Sequence, residues 1–194
     1  MPRPSSRDRI LDALERILVD TGLHAVTLEH VAEVAGVSKG GLLYHFPSKE
    51  ALITALARRL AESAEAEFQQ AVESDDVIGF FLRTSVPASA EGALYWSLLA
   101  ALRTNDIASA EARDHVIYCF VRWAQILREH IADPVTAEMV RLVGDGLYLS
   151  ALAGLPMPDP ALLDELRNRL VAEAAAGATA PDTAASGTVA SGTD

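Results

Sequence analysis

Between Asp8 and Asp20 the apolar residues Ile10, Leu11, Leu14, Ile17 and Leu18 recur at i, i+1, i+4, i+7 and i+8, a single stripe on a 3.6-residue period. The spacing predicts an amphipathic helix. Thr21-Gly22 closes it, because glycine accepts the left-handed conformation in which many helices end. Thr27 is placed to cap a short helix over 28–35, with His30 where a capping box would carry Glu and Gly36 at its end. After Val37, Ser38 offers a second cap, and Lys39 to Phe46 reads as another short helix stopped by Pro47. Two short helices about a tight glycine turn form a helix-turn-helix pattern.

Ser48 then caps a long periodic segment, Ala51 to Glu73, whose apolar positions include Leu52, Ile53, Leu56, Leu60 and Phe68. Free of Gly and Pro, it predicts a connecting rod on the order of 35 Å long. Helical patterns follow over Val77 to Ser85, Ala90 to Thr104, Ala108 to Ala132, Val135 to Ala153 and Pro160 to Ala176, separated by Pro and Gly breakers. No bounded run alternates apolar with polar residues, so no strand is expected. The fold class is therefore all-α. It comprises an N-terminal three-helix unit over residues 1–50 and a second helical unit over residues 51–176. Residues 177–194 are almost entirely Ala, Gly, Ser, Thr, Pro and Asp. They bury too little to offset ordering entropy and are expected to be a disordered tail.

Charge sharpens this division. The 194 residues carry 16 Lys+Arg against 27 Asp+Glu, a net charge of −11, which by itself argues against a nucleic-acid partner. Within the first fifty residues, however, Arg3, Arg7, Arg9, Arg16, Lys39 and Lys49 nearly balance the acids. The acidity is almost wholly C-terminal. A single cysteine, Cys119, excludes an intrachain disulfide framework and suits a reducing compartment. The amphipathic N-terminus does not read as a signal peptide, and no run of about 18 apolar residues predicts a membrane span. There is no nucleophile elbow, phosphate loop or His-Glu-x-x-His, so an enzyme is not expected, and neither is a cofactor. His115 and Cys119 stand i, i+4 on one predicted helix but lack a third ligand, so no metal site is expected.

The helix-turn-helix residues each have a physical task. Gly36 permits a positive φ between the two helices, and Ala32 and Ala35 let their axes approach. Ser38 leaves the second helix with free backbone N–H groups and a positive dipole end, suited to a phosphate or a base edge. Lys39 adds charge there, while Gly40 and Gly41 carry no side chain that would hold the backbone away from DNA.

Thr27, the run Val31-Ala32-Glu33-Val34-Ala35-Gly36-Val37-Ser38-Lys39-Gly40, the run Leu43-Tyr44-His45-Phe46-Pro47-Ser48-Lys49-Glu50, and Leu52 resemble the N-terminal domain of the tetracycline-repressor (TetR) family of bacterial transcriptional regulators. The resemblance covers residues 8–53. It implies a double-stranded DNA operator as partner, contacted by Thr27, Ser38, Lys39, Gly40, Gly41, Tyr44, His45 and Lys49. Phe46 is expected in the core, Tyr44 either in the core or on DNA, and His45 exposed. Arg3, Arg7 and Arg9 either add phosphate charge or form a solvated arm.

For the C-terminal half the resemblance implies a small-molecule effector and a homodimer. Phe80, Phe81, Tyr95, Trp96, Leu99, Arg103, Tyr118, Trp123 and Tyr148 are the candidate ligand-binding residues, chosen as aromatic and apolar groups that could enclose a cavity. Arg103, Arg122 and His115 could orient an anionic or hydroxylated ligand among those aromatics. The apolar segment Val135 to Leu155, followed by Leu162, Leu163, Leu166, Leu170 and Val171, predicts a helical hairpin that forms a four-helix interface with its symmetry mate. The resulting reading is a ligand-released repressor on a palindromic operator in the bacterial cytoplasm, associated with the nucleoid. The alternative is a helical sensor or interaction module without operator binding.

Overall fold

The computed structural model describes residues 5–86, 94–99 and 109–177. Among them every regular element is helical. Helix α1, Ser6–Asp20, begins two residues before the predicted start at Asp8 because Ser5 caps it, its Oγ accepting from the Asp8 N–H at 3.1 Å. The predicted stripe is its buried face. Gly22 at φ 81° turns the chain into a 3-10 turn, Leu23–Ala25. Helix α2, Leu28–Ala35, starts on Thr27, whose Oγ1 accepts from the His30 N–H at 3.1 Å. His30 does not complete a capping box; its Nδ1 meets the Ala25 carbonyl oxygen at 3.0 Å.

Gly36 at φ 64° ends α2. Helix α3, Lys39–His45, follows from the Ser38 cap, and Phe46 leaves the helix to enter the core, one residue earlier than the sequence pattern suggests. Ser48 caps helix α4, Lys49–Glu73, 25 residues and about 37 Å long.

The core beneath α1–α3 runs on through Leu52, Ile53, Leu56 and Ala57 of α4. It also takes in Leu94 and Leu98 of α6, which is described over residues 94–99, and Ala112 and Val116 of α7, Ala110–His130. The Ser97 hydroxyl donates to the Leu18 carbonyl oxygen at 3.1 Å, satisfying an acceptor that the end of α1 leaves open. The N-terminal helices thus rest on a platform made by the second half of the chain.

A second core joins α5, Val77–Thr84, to α7, to α8, Pro134–Leu152, and to α9, Pro160–Gly177. Its buried members include Phe81, Leu82, Leu127, Val140 and Leu170. Asp133 caps α8, accepting from the Thr136 N–H at 2.9 Å and the Thr136 hydroxyl at 2.6 Å. Gly144 is a packing requirement, since a Cβ there would stand 2.2 Å from the Phe81 ring. Gly177 belongs to α9, and the rest of the predicted tail, with most of the predicted helix over 90–104, lies outside the described residues.

Candidate nucleic-acid interface and ligand cavity

The sequence isolates α3 between a capped start and a proline stop, and packing orients it. Leu42 is fully buried, so the opposite side of this two-turn helix faces outward. Lys39, Gly40 and Tyr44 are exposed there, with Thr27 exposed at the start of α2. Ser38 Oγ accepts from the Gly41 N–H at 3.0 Å. A Cβ on Gly41 would come within 3.2 Å of that oxygen, whereas one on Gly40 would meet nothing within 4 Å. Gly41 therefore gives the cap room, and Gly40 leaves the outer surface bare.

Tyr44 is 85% exposed, which places it outside the core. His45 is half-buried, more covered than expected, because its ring lies beside both Tyr44 and Phe46, at 5.2 and 6.4 Å between centroids. Lys39 Nζ sits 2.6 Å from Glu29 of α2, and this hydrogen-bonded ammonium holds the Glu29 carboxyl below its ordinary range. At the start of α4, partial burial holds the half-buried Lys49 ammonium below its usual value. Arg7 lies 5.5 Å over the Phe46 ring and is thus packed against the α3–α4 junction; Arg3 lies outside the described residues.

Further along α4, a cavity opens between α4, α5, α6, α7 and α8. It is lined by Ala64, Glu67, Phe68, Phe81, Thr84, Ser85, Tyr95, Cys119, Phe120, Trp123, Asp145 and Tyr148. Its volume is about 60 Å³, room for a few waters and well below the roughly 300 Å³ at which drug-sized pockets begin. Aromatic rings close it. Trp123 packs edge-on to Phe68 at 5.4 Å and tilted to Phe81 at 5.0 Å, while Tyr148 meets Tyr95 at 5.7 Å and Phe120 at 5.9 Å.

Asp145 is ion-paired with Arg141, which also binds Glu138 through Nη2 at 2.5 Å and Nε at 3.1 Å. Burial pushes the Asp145 carboxyl up, with Arg141 opposing the shift. Burial likewise pushes up the Cys119 thiol, with the Tyr95 hydroxyl 3.9 Å from its sulfur. That thiol stays protonated and a poor nucleophile at neutral pH.

Of the predicted ligand-binding residues, Phe81, Tyr95, Trp123 and Tyr148 line this cavity. Phe80 lies beside Trp123 but off the cavity wall, Trp96 is 49% exposed, and Leu99 packs on the N-terminal core. Tyr118 sits on the outer side, its hydroxyl donating to Glu65, and Arg103 lies outside the described residues. Arg122 is 3.8 Å from Glu129 and His115 is 3.7 Å from Glu111; neither lines the cavity. Among the described residues no three His, Cys, Asp or Glu side chains gather as metal ligands. Glu67 and Asp145 do not stand out where rings are taken as the sign of a cavity, and Phe68 and Phe120 do not stand out from ordinary core positions on long amphipathic helices. For Asp145 the available signal was a lone carboxylate between Gly144 and Gly146 in an apolar segment.

Residues 10–56 match the family model for bacterial regulatory proteins of the tetR family, and residues 76–175 match that for the tetracyclin repressor-like C-terminal domain. The chain is 31% identical over 153 residues to the HTH-type transcriptional regulator UidR of Escherichia coli K12, covering 74% of this chain and 78% of that protein. The chain belongs to the TetR family. Among solved structures, the TetR-family member SCO1917 of Streptomyces coelicolor A3 superposes with a TM-score of 0.66 at 27% identity, over 86% of this chain and 98% of that one. The multidrug binding protein EbrR, complexed with ethidium, does so with a TM-score of 0.64 at 25% identity, over 86% and 98%.

As a TetR-family protein the chain is a DNA-binding transcriptional regulator with a ligand-binding C-terminal domain, and it is not an enzyme. Its family setting gives meaning to one surface the cores leave uncovered. Val135, Met139, Leu142 and Leu149 stand exposed at helical spacing along α8, with Leu162 exposed on α9. No helix among the described residues is long and apolar enough to cross a membrane.

Proposed function

We propose that this TetR-family regulator is a homodimeric repressor that binds a palindromic operator and is released from it by a small molecule in the α4–α8 cavity. The observation that carries this reading is the single helix α4, which belongs to both ends of the molecule. Its first turns lie in the N-terminal core, and its middle supplies Glu67 and Phe68 to the cavity wall. Arg59 ties it to Asp12 and Glu15 of α1 at 2.5 and 2.6 Å, while the adjacent Arg58 pairs with Glu111 of α7.

Residues 1–50 are the DNA-reading unit in this proposal, and residues 51–176 bind effector and dimerise through the exposed faces of α8 and α9. Helix α3 enters the major groove. Tyr44 and His45 donate hydrogen bonds, and Lys39, Lys49, Thr27 and the N–H groups at Ser38 and Gly40 meet phosphate or base edges, while Gly41, whose N–H is held by the Ser38 cap, lets the backbone come close. Two such helices set about 34–36 Å apart read successive grooves. A ligand that parts the cavity wall displaces α4 and thereby changes that separation. It weakens DNA binding by its differential affinity for the two arrangements. The protein acts in the bacterial cytoplasm, on the nucleoid.

Selection of bound sequences from a random duplex pool at moderate salt tests the reading. The expected product is a palindrome with half-sites about one helical turn apart. Absence of enrichment by folded, dimeric protein would favour a helical sensor or interaction module without operator binding.

A further inference from the structure

We infer that a second cavity, between α5, α8 and α9, is a binding site for an aliphatic carboxylate, separate from the α4–α8 cavity. Its volume is about 230 Å³, close to the roughly 300 Å³ at which drug-sized pockets begin. The two cavities share no described lining residue and stand back to back across the same helices. Phe81 and Thr84 of α5 line the first, whereas Leu82 and Arg83 line the second; on α8, Asp145 and Tyr148 are set against Leu147. Helical spacing also separates the second cavity from the surface proposed for the dimer. About 140° of turn lies between Leu142 and Leu147 on α8, and between Leu162 and Arg167 on α9.

The lining fixes both halves of the ligand. Leu82, Leu147 and Leu163 bring one leucine from each helix, and the described lining contains no aromatic side chain. An alkyl chain gains contact there, whereas a flat ring finds no ring to stack on. Two guanidinium groups, Arg83 and Arg167, stand against one carboxylate, Asp164, a balance that favours an anion over a cation. Each arginine is engaged at one nitrogen only. Arg83 Nη1 lies 3.2 Å from Asp76, which is not part of the lining, and Arg167 Nη2 lies 2.9 Å from Asp164. The other N–H groups of both forks have no partner among the described residues, and a carboxylate is a group whose two oxygens match a guanidinium fork. The ligand is thus held by its head at the arginines and by its chain against the leucines.

One alkyl chain with three head groups separates charge from apolar contact: octanoate, octan-1-ol and octylammonium. Calorimetric titration of the full chain at neutral pH, below the concentrations at which the probes aggregate, should give one octanoate site per protomer. Octanoate should bind at least about tenfold tighter than octan-1-ol, the gain of one charge-assisted pair, with octylammonium weakest. Arg83→Gln and Arg167→Gln should each weaken octanoate and, combined, bring it to the level of octan-1-ol, whose own binding stays unchanged. Melting curves check that the variants fold, and the head-group series on the wild-type chain decides the charge preference without them. Octan-1-ol binding as tightly as octanoate, uptake of many octanoates per protomer, an unchanged octanoate affinity in the folded double variant, or no octanoate binding at all would overturn the site. The effector reading of the α4–α8 cavity stands or falls separately, because neither Arg83 nor Arg167 lines it.

Discussion

Lys39 is the cation best placed to meet DNA at the start of α3, and it is already partnered. Its ion pair with Glu29 spans the first turns of α2 and α3 with both side chains more than half exposed, a setting in which water screens most of the attraction. Binding a phosphate means trading one carboxylate for another anion. Glu29→Gln should therefore tighten operator binding about two- to fivefold at low salt. It should also steepen the log–log salt slope by about one, since Lys39 then neutralises a phosphate without leaving a carboxylate to recapture a counterion. Fluorescence anisotropy of a labelled operator across a salt series reads both quantities, and an unchanged slope would mean that freeing Lys39 from Glu29 neutralises no further phosphate. Residues with a backbone task were legible in the sequence: Thr27, Ser38 and Ser48 cap where their side chains predict, and Gly36 takes the positive φ its place demands. Asp145 was legible only as a lone carboxylate between Gly144 and Gly146. Its significance depends on which helices surround it, and that information is non-local.

Element boundaries follow from the caps, which is why α2 and α8 begin and end within a residue or two of the predicted positions. The cap of α8 carries a pH signature. Hydrogen bonds from the Thr136 hydroxyl and N–H hold the Asp133 carboxyl below its ordinary 3.8. Stability from this carboxylate is therefore present above that value and lost as pH falls through the lowered folded-state pKa. Asp133→Ala should lower the melting temperature at neutral pH, and the gap to wild type should narrow as pH is taken below 3.8; circular dichroism melts at several pH values give the comparison. Packing between elements was harder to read. Gly144 looks from the sequence like a weak point in a helix, yet it is the place where Phe81 of α5 seats against α8. Gly144→Ala should cost about 1–3 kcal/mol by overpacking, measured by urea unfolding, and a neutral result would show that the Phe81 ring has somewhere to go.

For the molecule as a whole, the all-α class, the order of the helices and the family were present in periodicity and in the motif over residues 27–52. The walls of the cavity were only partly so, because they come from five helices and rings on the same helices point elsewhere. The α8 face makes the assembly testable. Leu142 is 56% exposed on the monomer, so Leu142→Arg should leave its fold within about 0.5 kcal/mol of wild type. It should also turn a dimer into a monomer in sedimentation velocity and lower operator affinity in step. A variant that stays dimeric would move the interface off α8.

The shared foundation of the N-terminal helices bears on how regulators of this kind can be recombined. A chimera that joins this reading head to another sensor at residue 50 would cut through the core formed with Leu52, Ile53, Leu56 and Ala57, and would drop Arg59, which clasps Asp12 and Glu15. A crossover after Arg59 transplants the head with its own footing and leaves Leu94, Leu98, Ala112 and Val116 as the surface that the recipient must match. The useful unit of exchange in this protein is the head together with the first eleven residues of its rod, Lys49 to Arg59, fitted to a compatible seat.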